Sequence, residues 1–387
     1  MIPIKYNIGN LKARRVSTLM TILGIGVVIA VMLSMMALYN GVLKATVSSG
    51  SKDVLMVMRE GAEAEISSWV AKDKFNILRT LPGIAKDAKG EPLVSPELTI
   101  VYKLPKKDDA KGSNVIVRGV TPAAFDMRPQ VKLVAGRMFN PGTNEMVASR
   151  RVSKRFVNTN VGDTFAFGTQ KWTVVGLFDA GGTAFDSEIW TDVGYLGQAR
   201  HRQDSYSVVL LKPTDPAAFQ TLKTSIEGDN RLKLNAKSEY QYFADQTKGL
   251  AGIRFLVGIV TFFMIIGAVL GTMNTMFTAV SARGRELATL RALGFKRRTV
   301  LLTVLMESLF IALLGALAGV LLSLPVNFIS TGTTNFNTFS EVAFSFDVDR
   351  AVAMRGIIIA LIAGMIGGLL PAISASRIPI TTALREI

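Results

Sequence analysis

Four long apolar runs constrain this chain more than any other feature: residues 16–43, 250–280, 300–329 and 351–376. A membrane-crossing helix needs ~20 such residues, and each run supplies them. Ionisable groups are sparse within them, Glu307 being the one carboxylate. The first run exceeds the ~7–15 residues of a signal-peptide core and shows no convincing cleavage site, so it reads as an uncleaved anchor. Dense Lys and Arg beside spans mark the cytoplasmic side. Lys12, Arg14, Arg15, the loop 281–299, Arg377 and Arg385 therefore place both termini and that loop inside. Residues 44–249 and the outer loop 330–350, with Glu341, Asp347 and Asp349 against Arg350, then lie outside.

The 387 residues carry a net charge of +15 and no cysteine. The missing thiols exclude a disulfide framework. The positive charge invites a nucleic-acid reading, but much of it sits beside spans, where topology accounts for it, and no nucleic-acid-binding motif of the usual kinds is present. The N-terminal residues 1–15 put Ile4, Ile8 and Leu11 on one helical face, which suits an amphipathic helix in the membrane interface; a frayed basic terminus is the alternative.

Between the second and third spans runs Ser281–Val300, SARGRELATLRALGFKRRTV. Leu287, Leu290 and Leu293 recur at near-helical spacing, and Gly294 suits the left-handed position that ends a helix. Residues 281–299 thus read as a short amphipathic helix held between two spans. The plainer alternative is a solvated basic loop that only sets topology.

Arg283, Arg285, Glu286, Leu290, Arg291, Ala292, Leu293 and Gly294 resemble the corresponding loop of MacB/FtsX-like permeases, the type VII ABC transporters. The segment from Asn10 to Thr18 resembles that family's N-terminal signature, and Gly368 to Arg385 its C-terminal one. The resemblance implies that the loop is a coupling helix for a cytoplasmic ABC ATPase dimer, with Arg283, Arg285, Glu286, Leu287, Leu290, Arg291 and Gly294 as its coupling residues. It also implies a second permease copy, identical or paralogous, and ATP and Mg bound in the partner ATPase rather than in this chain.

The stretch 44–249 is large enough for a packed domain. Strands are expected at Asp53–Met58, Leu98–Leu104, Asn114–Val120, Thr164–Phe167, Lys171–Phe178, Tyr206–Leu211 and Arg231–Leu234, and helices at Glu63–Leu81 and Pro216–Ile226. The domain is therefore α+β. Residues near 50–120 and 205–245 suggest one subdomain, and about 121–204 a β-rich insertion; the resemblance gives the same split, a porter-like part with an inserted part. The fold expected overall is an α-helical membrane protein of four transmembrane helices, with this extracytoplasmic domain between the first two and a cytoplasmic tail at 377–387.

G-x-x-x-G pairs occur at Gly267/Gly271, Gly315/Gly319 and Gly364/Gly368. Small residues at that spacing let helix backbones approach closely, within or between chains. Glu307, near the inner end of the third span, is a candidate for intramembrane pairing, for instance with loop arginines such as Arg298 about two turns away.

Enzyme chemistry is thinly supported. There is no G-x-x-x-x-G-K-[ST] phosphate loop, no H-E-x-x-H and no G-x-S-x-G. One histidine, His201, cannot build a metal site alone. The spans offer no polar path, which argues against ion conduction. Transmission of force remains. The resemblance implies a permease subunit of a MacB-like exporter that works through a periplasmic membrane-fusion adaptor and an outer-membrane channel. A FtsX-like regulator of a cell-wall hydrolase and a LolC-like lipoprotein-releasing permease are the alternatives.

Overall fold

The computed structural model describes residues 15–379, apart from Ala110, Thr169 and Phe336. The expected interfacial helix at 1–15 lies outside them but for Arg15, as does most of the tail. The described helices, in chain order, are α1 (Arg15–Val47), α2 (Lys72–Leu78), α3 (Ala123–Met127), α4 (Arg150–Arg155), α5 (Val193–Ala199) and α6 (Pro216–Gly228). They continue with α7 (Glu239–Gln246), α8 (Ala251–Ser281), α9 (Gly284–Ala292), α10 (Arg297–Ser323) and α11 (Arg350–Arg377). Four of these are long and apolar enough to cross a membrane: α1, α8, α10 and α11. The chain divides into two compact units. Of the described residues, one holds those of 15–41, 252–329 and 346–379, and the other those of 42–251 and 330–345.

In the first unit, glycine decides where helices meet. A Cβ on Gly315 would come 2.6 Å from Ile25, and one on Gly319 2.7 Å from Ile29, so α10 lies backbone-close to α1. Cβ atoms on Gly364 and Gly368 would overlap Ala312 and Ser308, which seats α11 on α10. Gly367 gives α8 the same close approach, 2.6 Å from the Val269 carbonyl. Gly267 and Gly271 differ: a Cβ on either finds nothing within 4 Å. With Gly24 and Thr275 they line an open groove of about 490 Å³ between α1 and α8. Large apolar side chains such as Phe255, Phe262, Phe263 and Leu321 are exposed on the helices, as a lipid-facing surface requires.

The outer unit is built on a ten-stranded sheet. Its strands are β1 (Leu55–Arg59), β3 (Val94–Leu104), β4 (Ser113–Val120), β5 (Lys132–Gly136), β6 (Glu145–Ser149), β7 (Thr164–Phe167), β8 (Gln170–Asp179), β9 (Glu188–Asp192), β11 (Val208–Leu211) and β12 (Leu234–Ser238). The order is β12-β1-β11-β3-β4-β9-β6-β8-β5, with β7 paired to β8. β4–β9 and β6–β8 are parallel; the other pairs are antiparallel. Two short strands, β2 (Val70–Ala71) and β10 (Ser205–Tyr206), pair apart from it. The strands within 121–204 therefore extend the sheet begun by the flanking segments, and β3 and β4 join the two halves.

β1 shows why the sheet is covered on both faces. Leu55 and Val57 pack with Leu222 and Ile226 of α6, while Met56 and Met58 pack with Tyr242 and Phe243 of α7. A strand buried on both faces reads as a continuous apolar run, as LMVM does. β8 alternates instead, and its register slips against β6 after Val174, so Trp172 and Val174 are buried on one face and Phe178 on the other. Helix starts follow side-chain caps: Ser149 accepts from Val152 N–H, Asp192 from Tyr195 N–H, Asp215 from Ala218 N–H and Ser238 from Gln241 N–H.

Three expectations change. Glu63–Leu81 is not one helix: Glu65–Ser67 is a 3₁₀ turn, Val70–Ala71 pairs with β10, and only Lys72–Leu78 is α-helical. Non-local strand pairing and the Ser68 hydroxyl, which accepts Arg59 N–H, outweigh local helix propensity there. The strand placed at Arg231–Leu234 begins at Leu234, because Lys233 takes φ +50° and Asp229 binds the Arg231 N–H in a turn. The outer loop 330–350 is largely a hairpin, β13 (Ser330–Thr334) with β14 (Glu341–Ser345), and residues 330–345 belong to the outer unit. Lys106 at 2.7 Å and Arg155 hold Glu341, and Ser187 Oγ accepts Ala343 N–H.

Candidate coupling loop and buried charge network

The loop between α8 and α10 is fastened at three points. Leu287 and Ala288 are buried, and Leu290 packs on the core of the spans. Arg283 Nη2 donates to both oxygens of Glu307 at 2.6 Å, and its Nε donates to the Ala279 carbonyl. The partner of Glu307 is thus Arg283, 24 residues earlier, rather than Arg298. Arg291 Nη1 donates to the Ile378 carbonyl at 2.8 Å, which ties α9 to the segment just after α11.

Helix α9 ends in a Schellman turn. Gly294 at φ +92° donates to the Arg291 carbonyl, and Phe295 N–H reaches back to Leu290. This ending overturns one sequence reading. Leu293 shares the spacing of Leu287 and Leu290, yet the helix stops at Ala292 and Leu293 is 73% exposed. Phe295, absent from the sequence-based set, is 39% exposed beside it. Arg285, Glu286, Lys296, Arg297 and Arg298 are exposed as well. Of the seven residues expected to carry coupling, Arg283, Leu287, Leu290 and Arg291 support the loop, Gly294 turns it, and Arg285 and Glu286 stand on its outer surface. Leu293 and Phe295 thus form an exposed apolar pair among charged side chains. The legible signal was the Leu-Gly-Phe order: a residue before a left-handed glycine lies at the helix end.

The outer unit holds a second constellation that sequence reading missed. Arg118 and Arg128 are buried among Glu65, Glu97, Glu188 and Glu239. Arg118 donates through Nε to Glu188 at 2.7 Å and through Nη1 to Glu97 at 2.9 Å, with Glu65 at 2.7 Å. Arg128 donates to Glu97 at 2.7 Å and to Glu239 at 2.9 Å. Trp190 Nε1 donates to Glu188, and Thr99 Oγ1 to Glu65. Burial pulls the Arg118 guanidinium down, but Glu188, Glu65 and Glu97 outweigh it and hold its pKa well above the usual arginine value. Burial pushes the Glu239 carboxyl up, against the pull of Arg128 and Ser51 N–H. Two cations face four carboxyl groups in this cluster.

The network joins particular parts of the fold. Glu97, Arg118 and Glu188 lie on β3, β4 and β9. Glu239 opens α7 and accepts Ser51 N–H at 3.0 Å, four residues past α1. A Cβ on Gly50 would come 2.5 Å from the Glu239 backbone, so only glycine permits that approach. The segment after α1 and the helix before α8 are thus bound to each other and to the middle of the sheet. Among the described residues no acidic, histidine or cysteine group is arranged to hold a metal. His201 is exposed in a loop.

Four apolar helices, with a large α/β domain inserted after the first, define a polytopic membrane protein with an extracytoplasmic segment. A family described as MacB-like periplasmic core domain matches residues 18–228, and one described as FtsX-like permease C-terminal matches 258–380. The chain belongs to this MacB/FtsX-like permease family. It is 23% identical over 97% of its length to the macrolide export ATP-binding/permease protein MacB of Neisseria gonorrhoeae, and 24% identical over 97% to that of Bordetella avium. It spans 59% of the length of each. The periplasmic region of MacB from Actinobacillus actinomycetemcomitans aligns with 50% of this chain and 92% of its own, at 14% identity and a TM-score of 0.39.

Proposed function

We propose that the chain is the permease subunit of a MacB-like ABC transporter, coupling ATP hydrolysis in a separate cytoplasmic ATPase to shape changes of its outer domain. The observation that carries this reading is the short helix α9, fastened by Arg283–Glu307 and Arg291 to three spans while Arg285, Glu286, Leu293 and Phe295 stay exposed. A partner that pushes on such a surface moves helices rather than a slack loop. The outer-domain network supports the other end of the path, since motion of the segments near Ser51 and Glu239 reaches β3, β4 and β9 through buried ion pairs.

In this scheme ATP and Mg belong to an ATPase dimer, a second permease copy completes the complex, and both termini are cytoplasmic. The naming of the relatives as macrolide export proteins supports efflux; a periplasmic substrate, an adaptor and an outer-membrane channel complete the proposed route. Co-purification of the tagged protein from its native membrane tests the reading. An ATP-binding protein should accompany the wild type and be lost from Leu293→Asp/Phe295→Asp, which remains folded because both side chains are exposed. Equal recovery with both forms would refute the assigned surface. A cell-wall hydrolase or a lipoprotein crosslinked to residues 121–204, in place of an adaptor, would shift the reading to the FtsX-like or LolC-like alternative.

A further inference from the structure

The outer unit carries a cleft separate from the buried charge network. It encloses about 730 Å³ beside the edge strand β12 and the N-terminal half of α6. Four lysines from four separate segments line it: Lys52, Lys212, Lys223 and Lys237. Lys212, Lys223 and Lys237 are half-buried. Lys237 has a carboxylate partner, Asp245 at 3.1 Å. The ammonium groups of Lys212 and Lys223 have none among the described residues. Two carboxylates also line the cleft. Asp215 is committed to capping α6, accepting Ala218 N–H at 2.8 Å and the Thr214 hydroxyl, and that backbone hydrogen bond holds its pKa below the ordinary value. Asp53 is exposed. Cations outnumber anions by two. Apolar walls come from Pro213, Pro216, Phe219 and Tyr240, with Lys52 5.1 Å from the Tyr240 ring centre.

We propose that this cleft binds an organic anion: a carboxylate, sulfonate or phosphate on Lys212 and Lys223, with an apolar body against Phe219 and Tyr240. Its volume falls within the range of small-molecule sites, which pair apolar walls with a few placed polar groups. A concave surface with an excess of one sign of charge concentrates the opposite ion. Folding alone gives no reason to gather unpaired lysines from separate segments into one hollow, since like charges repel there. A bound anion does. The acid group has two possible sources, a soluble amphiphile or an anionic lipid headgroup. The proposal goes beyond the coupling reading and does not rest on it.

The test uses the full chain in phosphatidylcholine nanodiscs without nucleotide or ATPase, so its failure stays distinct from failure of the coupling scheme. The probe is 1-anilinonaphthalene-8-sulfonate, an aromatic sulfonate. Its Kd should rise about tenfold or more in Lys212→Gln/Lys223→Gln, as loss of charge-assisted bonds predicts. It should hold steady in the control Lys103→Gln/Lys132→Gln, two exposed lysines elsewhere. In the wild type, the probe should also protect Lys212 and Lys223 from acetylation, read by mass spectrometry, a measurement independent of any variant's folding. Equal affinity in both double variants, or no protection, overturns the site. Phosphatidylglycerol nanodiscs separate the sources: protection by the lipid alone, with the probe displaced, assigns a headgroup, and unchanged probe affinity assigns a soluble anion. Either result supports the anion site.

Discussion

Replacing Arg128 by Met should destabilise the outer domain severely. The guanidinium donates to Glu97 at 2.7 and 3.2 Å and to Glu239 at 2.9 Å, all out of solvent. Its removal leaves one arginine against four carboxyl groups, and Glu239 retains Ser51 N–H as its remaining donor among these contacts. Removing one partner of a buried ion pair costs about 3–5 kcal/mol. For a domain of this size each kcal/mol moves the midpoint by about 2–4 °C, so the melting temperature should fall by about 6–20 °C. Trp190 reports it locally, because its indole donates to Glu188 and lies under Arg128 at 5.5 Å. Intrinsic fluorescence during thermal denaturation of the detergent-solubilised protein is the assay. Adding Glu239→Gln removes the buried carboxyl that has lost its arginine and should recover part of the loss, with a coupling energy of about 1 kcal/mol or more. A midpoint within about 2 °C of wild type for Arg128→Met would refute the argument that the network holds the domain.

Three further outcomes follow from the same physics. Gly364→Leu or Gly368→Leu should cost about 1–3 kcal/mol or more by driving α11 off α10, whereas Gly267→Ala or Gly271→Ala should leave the melting of the isolated chain unchanged, since nothing lies within 4 Å of the added carbon; thermal scans in detergent compare them. Glu307→Gln strands Arg283 and should cost about 3–5 kcal/mol, with Arg283→Met/Glu307→Gln less damaged than the sum of the single variants in a double-mutant cycle. Glu239 is held above the ordinary carboxylate range, so its contribution to stability is complete below about pH 4.3 and is lost as pH rises through its folded value, a slope that Glu239→Gln should flatten. Glu145, lowered to about 2 chiefly by the Arg137 hydrogen bond, contributes in the opposite sense and loses its effect as pH falls toward 2.

The sequence made the spans and most strands legible because bilayer length and apolar periodicity are local properties. The capped helix at Pro216 and the left-handed turn at Gly294 were legible for the same reason. What escaped depends on distant partners. Val70–Ala71 became a strand because Ser205–Tyr206 pairs with it, against a helical pattern in its own neighbourhood. Glu65, Glu97, Arg118, Arg128, Glu188 and Glu239 carry no common spacing, and the sheet alone brings them together. Glu341 likewise reads as an acidic loop residue until Lys106 and Arg155 are found against it. In the coupling loop, spacing placed Leu293 with the buried leucines, while the helix end one residue earlier turned it outward.

The most direct test of the coupling account is a photo-crosslink from position 295. Benzoylphenylalanine extends the exposed Phe295 ring by a benzoyl group, and irradiation of native membranes records what that group touches. The account predicts a crosslinked product containing an ATP-binding subunit, absent when the probe is moved to buried Leu287. A crosslink to lipid or to this chain alone, with the protein folded and the ATPase present, would contradict it.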